Sequence, residues 1–230
     1  MANGCSFQVI KGDGNVVTKS FPIGDYDKIE IAGGVEFDYT QSAATPALEV
    51  TLDENFFDCL DIYVKDNVLI IKKKEDYNET GIAPTVYRIK SNSSALSKLK
   101  NTGSCTFNIL NQLNTSNLDI KLTGSGSVVC KDNMRADDLN VTITGSGSAV
   151  LKGEVDQAKI KISGSGDIDA YECRINSLEC NISGSGAVKA WVINDLSYNI
   201  TGSGNLIYKG NPQLKEQSIS GSGKVKNIEN

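Results

Sequence analysis

Asp167, Asp169, Tyr171 and Trp191 fall within one short stretch, and their types fit chemistry on a sugar. A pair of carboxylates can act as acid and base in cleaving a glycosidic bond. An exposed aromatic ring offers an apolar face to a pyranose or to a partner protein. Trp191 is the only tryptophan of the chain. There is no histidine, which removes imidazole triads, His-ligated zinc and His proton shuttles. The six cysteines (Cys5, Cys59, Cys105, Cys130, Cys173, Cys180) contain no C-x-x-C pair, so neither a zinc ribbon nor a redox dithiol is expected. No metal and no cofactor is expected. Cys5 is a candidate for lipidation, although Ala2-Asn3-Gly4 lacks the leucine usual three positions before such a cysteine. A Cys173–Cys180 bridge stands against the simpler reading of unpaired thiols. For Cys130 and Cys180 that simpler reading is a small buried hydrophobe.

Charge narrows the field further. Over 230 residues the net charge is −5, with 23 basic and 28 acidic side chains. That balance fits neither nucleic acid nor an anionic membrane surface. No apolar run approaches the roughly 20 residues that span a bilayer, so membrane attachment is expected only through a lipid anchor. The opening Met1-Ala2-Asn3-Gly4-Cys5 does not read as a natural signal peptide.

What must position the candidate residues is a repeat. Gly-Ser-Gly occurs at 124–126, 145–147, 164–166, 184–186, 202–204 and 221–223, with a degenerate copy at 101–105 in which Cys105 stands for the second glycine. A period near 20 points to a solenoid. Two positions before the first glycine stand Leu122, Ile143, Ile162, Ile182, Ile200 and Ile219. Four before it stand Ile120, Val141, Ile160, Cys180, Tyr198 and Gln217. The residues between are mostly polar, so each repeat enters its corner as a strand with one buried face. After the corner, Val128, Ala149, Ile168, Val188, Leu206 and Val225 form another apolar column, and Cys130, Leu151, Ala170, Ala190 and Tyr208 a further one. A looser return, such as Lys131–Asp138 or Lys152–Gln157, carries the chain to the next coil. Successive strands then run parallel. Glycine suits the corner because a sharp bend needs backbone angles that a Cβ makes costly. The serine between is expected to hydrogen-bond its neighbours along the stack. The triplets are therefore scaffold, not a phosphate loop, since no copy carries the third glycine of G-x-G-x-x-G. In the last repeat Lys215, Gln217 and Asn227 replace apolar residues and form a polar cap over an exposed ladder end.

A column along the outside of the coil reads Lys131, Lys152, Tyr171, Trp191, Lys209. Tyr171 and Trp191 are expected to stack on adjacent rungs. They serve either as a binding surface or as a side-chain ladder that steadies the coil. No cluster of Asp, Arg and Lys stands out on one face.

Residues 1–95 lack the strict period but read as strands. Asp27–Ala32 and Val35–Thr40 flank Gly33-Gly34; Asp61–Lys74 reads as a hairpin turning at Asp66-Asn67; Asp53 is placed to cap a helical turn. The stretch Lys11–Phe21 resembles the later corners. The expected architecture is an all-β parallel β-helix, or β-solenoid, of about 20 residues per coil. The repeat region spans 96–230. The irregular, strand-rich N-terminal portion, 1–95, caps or continues it.

The order GDGNVVTKSF, YDKIEIAGGVEFDYTQ, LEVTLDENFFDCLDIYVKDNVLIIKKK, then the glycine ladder ending in GSGNLIYKGNPQLKEQSISGSGKVKNI, resembles the auto-transporter adhesin, head GIN domain family over nearly the whole chain. Tyr208-Lys209-Gly210-Asn211-Pro212 ahead of the last triplet is its most specific match. The resemblance implies a β-helical fold and an exported protein or lipoprotein of the Gram-negative envelope, in the periplasm or on the outer membrane. It supplies no catalytic residues. The reading that follows is a non-enzymatic envelope protein presenting a rigid surface to a glycan or protein ligand, with Tyr171 and Trp191 as candidate contacts. A polysaccharide lyase or hydrolase on a β-helix is the second reading, and a self-assembling structural subunit the third.

Overall fold

The computed structural model describes residues 9–77 and 80–229. In chain order its strands are β1 Val9–Lys11, β2 Val16–Phe21, β3 Lys28–Gly33, β4 Glu36–Gln41, β5 Leu48–Asp53, β6 Leu60–Lys65, β7 Val68–Lys73, β8 Gly81–Ala83, β9 Tyr87–Ser93 and β10 Lys98–Gly103. They continue as β11 Thr106–Ile109, β12 Leu113–Gly124, β13 Ser127–Cys130, β14 Met134–Gly145, β15 Ser148–Gly164, β16 Asp167–Gly184, β17 Ala187–Gly202, β18 Asn205–Lys209, β19 Gln213–Gly221 and β20 Lys224–Asn227. From β10 onward every strand pairing is parallel. Gly103, Gly124, Gly145, Gly164, Gly184, Gly202 and Gly221 lie opposite one another in a single row. The chain is a β-solenoid of about 20 residues per coil, as the glycine period requires.

The corner explains the repeat. Gly145 has φ +115°, a region that L side chains rarely adopt. A Cβ there would also lie 2.5 Å from the carbonyl oxygen of Gly124. That oxygen accepts the Ser146 N–H at 2.9 Å, and each later coil repeats the bond. The stack of corners is thus held by serine amides, not by the hydroxyls that the sequence reading favoured. At the degenerate corner Cys105 is fully buried, and Asn101 Nδ2 donates to its carbonyl at 2.8 Å.

The return segments are not loose. Gly153–Gln157 lies inside β15, and Met134–Asp137 inside β14. Val155, Ile175 and Val192 turn inward and are buried, adding a third apolar wall. The coil therefore has three walls, and the third carries its own outward row of side chains.

The N-terminal region enters the ladder in an order the sequence hides. β3 and β4 pair in parallel with β10 and β11, with Gly33 opposite Gly103. The chain then leaves this coil, builds outward, and returns to add β10 on the other side. β7 and β9 pair with β3 and β4 in parallel, while β5, β6 and β2 add antiparallel strands beyond them. These strands cover the first coil, and Phe37, Tyr39, Phe56 and Phe107 fill the core beneath. The Asp66-Asn67 turn is as expected, with both residues at positive φ as a two-residue hairpin demands. Two expectations are corrected. Asp53 precedes a 3₁₀ helix (Glu54–Cys59) but does not cap it. Its buried carboxylate accepts the N–H groups of Gly14 (3.0 Å) and Thr85 (2.7 Å). Gly12-Asp13-Gly14 is accordingly a loop folded onto Asp53, not a coil corner.

At the other end β19 is exposed along its whole length. Its polar residues bond back to the preceding coil: Lys215 to Asp195 (3.2 Å) and Gln217 to the Tyr198 hydroxyl (2.9 Å).

Candidate functional site

The candidate site forms where the coils change length. The corner-to-corner spacing is 19 residues from Gly145, 20 from Gly164 and 18 from Gly184. The surplus appears as a bulge. Ala170 pairs with Ala190, but the next paired residues are Arg174 and Trp191, so Tyr171-Glu172-Cys173 has no opposite number in β17. A bulge re-aims the side chains around it. The expected stacking of Tyr171 on Trp191 is corrected accordingly. The register partners of Trp191 are Arg174 on one side and Lys209 on the other.

Lys209 Nζ lies over the Trp191 ring, 4.5 Å from its centroid, and 5.9 Å from that of Tyr171. Lys189 Nζ is 5.8 Å from the Tyr171 ring and 3.8 Å from the Asp169 carboxylate. Both aromatics are half-buried. Burial first, and the Asp169 carboxylate second, raise the Tyr171 phenol above its ordinary pKa of 10. Cation–π contact of this kind steadies a ladder, but it also occupies a face of the indole.

On the third wall the register aligns Arg135, Glu154, Arg174 and Trp191 on consecutive coils. With Glu172 beside them they line a cleft of about 400 Å³. Arg135 Nη2 donates to Glu154 Oε2 at 2.9 Å. That hydrogen bond and charge hold the Glu154 carboxyl below its ordinary range, with Arg174 adding to the effect. Glu172 pairs with Lys152 at 3.0 Å. The carboxylates of the strip are thus neutralised by Arg135 and Lys152. Among the described residues Arg174 and Lys209 form no ion pair, and the Trp191 indole N–H meets no acceptor. The charged cluster that the sequence reading did not find lies here. The looser pattern of the return segments hides it, because their strand alternation is weaker than that of the corner strands.

The remaining candidates sit elsewhere. Asp167 accepts the Ala187 N–H at 3.1 Å and Asp169 the Tyr171 N–H at 3.2 Å, so both carboxylates hold backbone. Cys59, Cys105, Cys130, Cys173 and Cys180 are buried and unpaired. Cys173 and Cys180 lie seven positions apart in the single strand β16, too far along an extended chain to be bridged. Burial pushes the thiols of Cys105, Cys173 and Cys180 up to about 12 and that of Cys130 to about 11. Cys5, the lipidation candidate, lies outside the described residues. Among the described residues no group of three or more Cys, Asp or Glu could hold a metal ion, and no helix is long and apolar enough to cross a membrane.

A second cleft, of about 540 Å³, lies at the Gly33-Gly34 corner. The other glycine corners of the row pack closely on a neighbour, whereas a Cβ on Gly33 would meet nothing within 4 Å. Here the chain between β7 and β9 detours. Leu60, Ile82, Pro84 and Tyr87 wall the cleft, and Lys72 and Lys73 border it.

The family model "Putative auto-transporter adhesin, head GIN domain" matches residues 25–212. The chain belongs to this family. Three crystal structures share its fold. A "putative lipid binding protein" from Parabacteroides distasonis is 34% identical, with a TM-score of 0.82 over 96% of this chain and 100% of that one. A "putative adhesin" from Bacteroides fragilis is 27% identical, with a TM-score of 0.86 over 95% and 100%. Another from Parabacteroides merdae is 27% identical, with a TM-score of 0.77 over 96% and 99%. No curated protein matches the chain.

Proposed function

We propose that this head GIN domain is a non-enzymatic, adhesin-like binding module of the cell envelope, and that its ligand is a glycan. The observation that carries the reading is the strip on the third wall. Trp191 stands half-exposed beside a cleft of about 400 Å³, flanked by planar and charged side chains that a rigid ladder holds in register. Glycan contact needs such preplaced polar groups beside an apolar ring. The adhesin descriptions of the family and of two relatives agree with it. An exported chain, held at the membrane by a lipid on Cys5 or secreted, would present this strip outward. A structural role for Asp167 and Asp169 supports the non-enzymatic reading, since each accepts a backbone N–H through one carboxylate oxygen.

Binding to a glycan array tests the proposal. Trp191→Ala should lose binding with its melting temperature unchanged, and bound polysaccharide should stay at full length. Chain cleavage that disappears in Asp167→Asn or Asp169→Asn would establish an enzyme instead.

A second reading concerns the cleft at Gly33-Gly34. Its apolar walls and bordering lysines suit an amphiphile with an anionic head, and the relative from P. distasonis carries a lipid-binding description. Displacement of a fluorescent fatty acid, lost on Leu60→Glu but kept on Trp191→Ala, would support that reading. A chain that takes up no fatty acid would dismiss it.

A further inference from the structure

The ligand class can be narrowed from the same strip, and the narrowing rests on the glycan reading above. Lys209 lies 4.5 Å from the Trp191 centroid. That face of the indole is not an open platform for an uncharged ring. What the strip offers instead is donors. The acids near it are all engaged: Glu154 by Arg135 at 2.9 Å, Glu172 by Lys152 at 3.0 Å, and Glu229, beside Lys209, by the Gly210 N–H at 2.8 Å. Among the described residues Arg174 and Lys209 form no ion pair, Arg174 acting on Glu154 only through its charge, and the indole N–H between them has no acceptor. The register puts these three residues on successive coils, so the backbones that carry the two cations lie about two ladder spacings, or roughly 10 Å, apart. A chain whose net charge is −5 has engaged the strip's acids and left two cations, one on each side of Trp191, without an ion pair. Local positive charge of this kind selects partners by sign, and a guanidinium grips carboxylate or sulfate through paired hydrogen bonds.

We infer that the strip binds an acidic glycan, with Arg174 and Lys209 holding negatively charged groups on the sugar chain and the Trp191 N–H donating to an oxygen between them. Carboxylate and sulfate would be held by the same donors, and the test separates them.

Affinity electrophoresis of the folded chain would use polygalacturonate, chondroitin sulfate and dextran as uronate, sulfated and uncharged probes. The expected result is retardation by one or both acidic polymers and none by dextran, falling at least tenfold when salt rises from low to several hundred millimolar. Arg174→Gln and Lys209→Gln should each weaken binding at least fivefold, and the double variant should abolish it. Lys161→Gln, on another wall, should match the parent. Dextran binding that Trp191→Ala abolishes and Arg174→Gln leaves intact would overturn the inference and keep the glycan reading. Failure of every polymer, charged or not, would sink both. Tighter association with phosphatidylglycerol vesicles than with either polymer, through the same two residues, would replace the glycan by a lipid surface and overturn the inference as well.

Discussion

At the scale of single residues, glycine and cysteine carry the sharpest consequences. Gly145→Ala would put a methyl group 2.5 Å from the Gly124 carbonyl oxygen at φ +115°. A loss of at least ~2 kcal/mol is expected, read as a lower urea midpoint at unchanged slope. Gly14 also has positive φ, +80°, but a Cβ there meets nothing within 4 Å. Gly14→Ala should lose only about 1 kcal/mol. Equal losses would mean that the close approach of stacked corners contributes nothing. The buried thiols give a second test. Folded pKa values of about 11 to 12 lie above the ordinary thiol value of 9.0. Above pH 9 the unfolded chain therefore binds fewer protons than the folded one, and stability must fall between pH 9 and 12. Urea midpoints measured across that window should decline. At pH 8 a thiol reagent should leave Cys105, Cys130, Cys173 and Cys180 unmodified until denaturant is added. Rapid native labelling of any of the four would contradict the buried ladder.

At the scale of elements, the Asp53 clamp ties the first loop and the β8–β9 connection to the end of β5. Burial pushes the Asp53 carboxyl up, but the hydrogen bonds from Thr85 and Gly14 outweigh it and leave the pKa below 3.8. The clamp's stabilisation is therefore full above the ordinary carboxylate pKa and is lost as acid protonates it. Asp53→Asn should lower the urea midpoint near neutral pH, and the gap from the parent should close in acid. A gap that stays constant with pH would show that the charge plays no part. Elements also show what the sequence made legible. The buried columns Leu122 to Ile200 and Val128 to Leu206 follow from period-two alternation, and the parallel coil with them; in the last coil Ile219 lies exposed. The N-terminal order was not readable, because β3 meets β10 across some 70 positions and no local pattern encodes that skip. On the site, Tyr171, Trp191 and Lys209 were visible as a column. Arg135, Glu154 and Arg174 were not, because the return segments lack the strict alternation that marks a strand, although they lie inside β14, β15 and β16. The drop in corner spacing from 20 to 18 was the available signal, since a change of coil length must be absorbed as a bulge.

At the scale of the whole molecule, the solenoid is a rigid rod whose coils are stable only against their neighbours. β3 and β4 cover the outer edge of β10 and β11. A fragment of residues 96–230 would open that edge and bare Phe107. Open strand edges pair with other chains. Light scattering should show the fragment self-associating at concentrations where the full chain does not. A monodisperse, cooperatively melting fragment would make the N-terminal coil dispensable. The same rigidity would let a shallow strip recognise the proposed ligand, since the ladder sets Arg174, Trp191 and Lys209 in register on successive coils. Because Trp191 is the one tryptophan, its indole N–H gives a single nitrogen–proton NMR signal. Titration with an acidic oligosaccharide that the chain retains should shift that signal progressively to saturation, with the Arg174→Gln variant requiring several times more ligand. A signal that stays in place while the oligosaccharide binds would contradict the strip as the binding surface.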